Sequence, residues 1–184
     1  MNIRVLVMLS LLVGIGAVLH TVAPPFFFGM RPDMMLAMMF LGITLFPKAP
    51  YVLLLSLATG FIAALTTTVP GGQLANIIDK PLTAFAFFGL VLLTKKLSRY
   101  KFTQPVLAAI GTMISGSIFL SVVLYIIGLM EASFGVMFAT VVLPAAAFNF
   151  IFVAIMYPIA SKILQRTSLA KVAQPSPAVA TEAD

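Results

Sequence analysis

Cysteine is absent from this chain, histidine occurs once, and charged residues make up only 9% of its 184 positions. Without cysteine there is no disulfide, no thiolate nucleophile and no thiolate-ligated metal. The single His20 stands in no His-Glu-x-x-His or Ser-His constellation, so no catalytic set for an intramembrane enzyme is present. No G-x-x-x-x-G-K-[ST] loop occurs, so the chain does not hydrolyse ATP by that route, and no cofactor or metal is expected. The scarcity of charge is itself diagnostic, because soluble domains are about 25% charged. What is present instead is apolar: 61% of residues are hydrophobic and the mean hydropathy is +1.14. This composition defines an integral membrane protein. The net charge of +6 flanks apolar segments rather than forming a patch, so it speaks to membrane orientation and not to nucleic acid.

The apolar runs divide into six helices, an all-α transmembrane bundle. Arg4 and the run behind it resemble a signal peptide, but Val5 to Val22 is long and no small-x-small site closes it. A retained first helix, Val5 to Ala23, is expected, ended by Pro24-Pro25 and followed by Phe26, Phe27 and Phe28. The second helix starts at Pro32 with Asp33 at its positive end and stops at Pro47-Lys48-Ala49-Pro50. The third runs from Tyr51 to Val69, the fourth from Pro81 to Thr94, the fifth from Pro105 to Leu129 and the sixth from Phe134 to Leu164. Residues 1–167 form the transmembrane domain. Residues 168–184, rich in Ala, Pro and Ser, form a disordered tail.

With the N-terminus inside, six spans place nine Lys and Arg inside and two, Arg31 and Lys80, outside. A five-span chain with the N-terminus outside gives the same count with Arg4 and Arg31 exchanged, so charge counting leaves both open.

The organising stretch is Gln73 to Pro81, read as a charged loop between long apolar runs. A charge at mid-bilayer costs about 2.5–3.5 kcal/mol on insertion scales, which makes Asp79 and Lys80 functional candidates. Helices two and four, at 14 or 15 residues, would span only about 21–23 Å. The hydrocarbon core is about 30 Å thick, so an outward recess is expected above both. Its floor would carry Arg31, Asp33, Asp79 and Lys80 and two helix N-termini, which favour anions. Such a floor suits a zwitterion: positive groups for a carboxylate, Asp33 or Asp79 for an ammonium. Phe26–Phe28, Met34, Met35, Met38, Phe85 and Phe88 are candidates for an apolar wall, and Gln73, Asn76 and Asn149 for partners of a ring N–H. His20 reads as a packing residue.

Ser10, Gly14, Ala17 and Thr21 form a small-residue stripe on helix one, of the kind that lets membrane helices approach closely. Gly60 with Ala64, and Gly111 with Ser115, do the same.

Several strings resemble the bacterial tryptophan-transporter family: Gly29-Met30-Arg31-Pro32-Asp33-Met34-Met35, Asn76-Ile77-Ile78-Asp79-Lys80-Pro81 and Val142-Leu143-Pro144-Ala145-Ala146. That family looks like the substrate-binding S component of energy-coupling factor (ECF) transporters. The resemblance implies six spans with both termini cytoplasmic in a bacterial plasma membrane, and capture of tryptophan on the outer side. It also implies a membrane T component and two cytoplasmic ATPase subunits as partners, which would drive toppling of the S component for delivery. S components often dock through Ala-x-x-x-Ala on helix one. The matching place here holds Ser10-x-x-x-Gly14, with Ala17 one turn on, so the small-residue logic persists with different residues. The alternative functions are a stand-alone homo-oligomeric secondary transporter and, further off, an assembly scaffold.

Overall fold

The computed structural model describes residues 1–22, 33–95, 102–128 and 132–166. Arg31, Phe26–Phe28, most of the basic loop, Glu131 and the tail from residue 167 lie outside the described residues. No strand occurs among those described.

Six helical rods form the molecule: α1 Ile3–Val22, α2 Met34–Leu45, α3 Ala49–Thr66, α4 Gly72–Leu93, α5 Thr103–Ile127 and α6 Phe134–Gln165. Five are long and apolar enough to cross a membrane; α2 is the shorter apolar one. The last turns of α5, Val122–Ile127, are π-helical, and so is Phe138–Val142 within α6. The side chain of Asp33 caps α2, accepting the Leu36 N–H at 3.0 Å. Pro50 sits in the first turn of α3, where a missing N–H is harmless.

The shortest rod is the central one. Every residue of α2 is buried except Thr44, which is partly so, and the helix packs against α1, α3, α4, α5 and α6. An all-round apolar surface needs such a position. At 12 residues α2 is about 18 Å long, short of the bilayer core as expected.

The fourth helix differs from expectation. Pro81 does not open α4; it lies inside a helix of 22 residues that begins at Gly72. The stretch read as a charged loop is therefore helical, and α4, at about 33 Å, is not truncated. Its buried positions, Gly72, Ala75, Asn76, Asp79, Lys80, Thr83, Ala84, Phe87 and Val91, recur every three or four residues straight through the proline. Pro81 cannot donate to the carbonyl of Ile77. That loss is tolerated in a packed membrane helix, where neighbouring groups re-satisfy the backbone.

One end of the bundle gathers the starts of α1, α3 and α5 and the ends of α2, α4 and α6. The Asn2 N–H donates to Tyr51 Oη at 2.9 Å, and the Thr44 hydroxyl donates to Gln104 Oε1 at 3.3 Å. Val5, Phe46, Tyr51, Val91, Leu107 and Leu164 share one core there. Arg4, Lys48, Lys95, Lys162 and Arg166 stand exposed around it. The opposite end holds the site.

Candidate functional site

The middle of α4 carries Asp79 and Lys80 on its buried face, one turn beyond Asn76. Gly60 of α3 makes room for them: a Cβ there would stand 3.2 Å from Lys80 Cβ and 3.3 Å from the Asn76 carbonyl. The close approach brings both charges fully inside, Asp79 at 0% and Lys80 at 1% exposure.

Neither charge is unpaired. Lys80 Nζ donates to Asp79 Oδ2 at 2.9 Å and to Asp33 Oδ2, bridging the two carboxylates. Asp79 is held further by Ser115 of α5, whose Oγ donates to Oδ2 at 2.7 Å, and by Thr83, whose Oγ1 donates to Oδ1 at 2.6 Å. Buried charges persist only when paired and hydrogen-bonded, and this network meets both conditions. Two carboxylates against one ammonium leave it one negative charge. Asp33, with 24% of its side chain exposed, is where that charge is reachable. His20, near the end of α1, places Nδ1 3.9 Å from Asp33 Oδ1.

A cavity open to solvent, about 770 Å³ with the solvent at its mouth included, lies against the network. Its polar side is formed by His20, Asp33, Asn76, Asp79 and Lys80, with Thr66–Thr68 at the exit of α3 and Thr112 and Ser115 on α5. Leu36, Phe119, Leu120, Val141, Val142 and Ala145 form the apolar side. Val141 and Val142 belong to the π-helical turn of α6, and Phe119 and Leu120 lie in the α-helical turn before that of α5. Such wide turns frequently mark functional sites.

Asp33, Asn76, Asp79 and Lys80 thus line one cavity. Asn76 also ties α4 to its own start, its Nδ2 donating to the Gly72 carbonyl at 2.9 Å. Asn149 of α6 is buried one layer behind the cavity, its Nδ2 donating to Thr112 Oγ1 at 2.9 Å. Gln73 is exposed on α4, and Met34 is packed in the interior; neither lines the cavity. Met35 and Met38 are likewise core residues, Phe85 is 43% exposed, and Phe88 packs against the core, so the expected methionine and phenylalanine wall does not form from them. Phe119 provides the aromatic surface among the described lining residues. The recess stands above α2 alone, since α4 runs alongside it.

The family model described as "Tryptophan transporter TrpP" matches residues 2–165. The chain belongs to the tryptophan transporter family. It is 51% identical over 174 residues to the "Probable tryptophan transport protein" of Bacillus subtilis (strain 168), covering 95% of this chain and all of the relative. Proteins of the same description from Clostridium acetobutylicum and Clostridium perfringens are 39% and 34% identical, covering 90% and 91% of this chain and 96% and 97% of their own lengths. No solved structure matches.

In this tryptophan transporter family member, the residues missed in the sequence are His20, Ser115, Thr112 and the Thr66–Thr68 turn. Only His20 carried a signal. An ionisable side chain within a span is a functional candidate by default. The hydroxyls of α5 and α3 are indistinguishable in sequence from those that merely satisfy their own helix.

Proposed function

We propose that this protein captures tryptophan at the outer face of a bacterial plasma membrane, as the substrate-binding subunit of an ECF transporter. One observation carries the reading: in a chain of this family, a largely buried Asp33–Lys80–Asp79 network with one surplus negative charge walls a cavity that opens at Asp33. Asp33 takes the ammonium in a charge-assisted hydrogen bond. The indole lies against Phe119, Leu120, Val141 and Val142. Arg31, two residues from Asp33, belongs to the proposed binding set.

Five exposed Lys and Arg ring the end opposite the cavity, while Lys80 is the one Lys or Arg lining it among the described residues. By the positive-inside rule this supports cytoplasmic termini, six spans and an outward cavity. The absence of an ATP-binding loop supports power from elsewhere, namely a T component and two ATPase subunits. Ser10 and Gly14 face outward on α1, with Ala17 half-buried beside them, and nothing lies within 4 Å of a Cβ built on Gly14. This open face supports docking of the T component through these residues.

Calorimetry of the detergent-purified protein against all twenty amino acids tests the reading. Heat is expected with tryptophan, and silence with every amino acid would overturn it. Uptake should vanish in cells lacking the shared ATPase modules. Ion-driven uptake that persists there would mean a stand-alone secondary transporter.

A further inference from the structure

We propose that His20 is the contact for the carboxylate of the bound amino acid, so that His20 and Asp33 together clamp its two charged groups. The proposal rests on the capture of an amino acid in this cavity and adds how its carboxylate is recognised. His20 is 9% exposed and lines the cavity, and its Nδ1 has no hydrogen-bond partner among the described residues. Asp33 does not satisfy it: the 3.9 Å separation from Oδ1 is ion-pair reach, beyond the ~2.7–3.2 Å of a hydrogen bond. A buried ring nitrogen without a partner is unfavourable, and a ligand oxygen would relieve it.

Charge balance points the same way. Asp33, Asp79 and Lys80 leave one negative charge, and the Lys80 ammonium is already shared between two carboxylates. A zwitterion with its ammonium on Asp33 brings its carboxylate alongside that negative wall. His20 Nδ1 is the one buried polar side-chain atom among the described lining residues that lacks a hydrogen-bond partner, and it is placed to donate to that carboxylate. The two charged groups of an amino acid share one carbon, so their partners must be neighbours, as His20 and Asp33 are.

The test compares L-tryptophan with tryptamine, which has the same ring and ammonium but no carboxylate, by calorimetry on the full-length protein and on His20→Ala and His20→Gln. Wild type should prefer tryptophan by about ten- to hundredfold, the scale of one charge-assisted hydrogen bond. His20→Ala should erase most of that preference by weakening tryptophan, with tryptamine changed by less than about threefold. His20→Gln, which keeps an N–H donor without charge, should fall between. The ratio of the two affinities within one variant does not depend on how much of it is folded. Equal weakening of both ligands in both variants would make His20 structural and overturn the proposal. So would wild type that binds the two ligands equally, which leaves capture itself intact; the carboxylate would then belong elsewhere, with Arg31 the next residue to change. Wild type that binds neither removes the capture reading and this one with it.

Discussion

Ser115 on α5 and Asp79 on α4 meet at 2.7 Å, Oγ donating to Oδ2, although 36 residues separate them in sequence. The contact fastens two helices at the cavity wall. Together with Thr83 and Lys80 it gives Asp79 three donors, close to the roughly four lone-pair sites of a carboxylate. Asp79 therefore orients Lys80, while Asp33 presents its partly exposed carboxylate to the cavity. Ser115→Ala should lower stability by about 1–3 kcal/mol, because a buried charged acceptor loses a donor. A thermal melt in detergent reads this directly. A melting point equal to wild type would mean that water or a neighbour replaces the hydroxyl.

Asp33→Asn removes the exposed charge of the network while Lys80 keeps Asp79 as its partner. Asn caps a helix about as well as Asp, so the Leu36 N–H keeps its partner and α2 keeps its start. The charge proposed to receive the ammonium is gone. Tryptophan affinity should fall by about 1.5–3 kcal/mol, roughly ten- to hundredfold, in calorimetry. Undiminished affinity would take Asp33 out of the site.

Lys80→Met leaves Asp33 and Asp79 without their shared cation. Removing one partner of a buried ion pair costs about 3–5 kcal/mol, so the melting point and the folded yield should both drop sharply. Adding Asp79→Asn to the same chain should recover part of the loss, since it removes one of the stranded charges. Equal melting points for the single and double variants would show that the network does not act as a unit.

Gly111→Ala tests packing alone. A Cβ at Gly111 would fall 2.7 Å from Phe40 Cζ and 2.8 Å from Phe87 Cδ2, and those two rings stack with centroids 4.1 Å apart. The rings must shift, at a cost of about 1–3 kcal/mol. The melting point should fall while tryptophan affinity in the folded fraction stays near wild type.

Gly14→Leu adds bulk where the structure has open space. Folding and tryptophan binding should survive, while co-purification with the T component and energised uptake should be lost. Normal uptake in this variant would move the docking face away from Ser10, Gly14 and Ala17.

The membrane character and the helical bundle could be read directly from the chain, because apolar runs of span length separated by proline-rich turns leave few alternatives. Pro47-Lys48 follows the end of α2 as expected, while α3 opens at Ala49, two residues before the expected Tyr51. Pro81 misled because proline is favoured in first turns, yet the spacing of Asn76, Asp79, Thr83, Phe87 and Val91 passed through it unbroken. That period was the better guide. Lys80 next to Asp79 suggested a local pair, and the pair forms, but nothing local showed that Lys80 also reaches Asp33, 47 residues away. The cavity wall was harder still. Phe119, Val141 and Val142 resemble every other apolar residue in their helices, and only the packing of α5 against α6 decides which of them line the cavity.

The sheathing of α2 on every side by other helices has a consequence for the bilayer. A helix that never meets an acyl chain has no hydrophobic mismatch to resolve, however short it is. The outer rods alone set the thickness of membrane this protein occupies, and solvent can stand well below the headgroups over α2 without drawing any lipid inward.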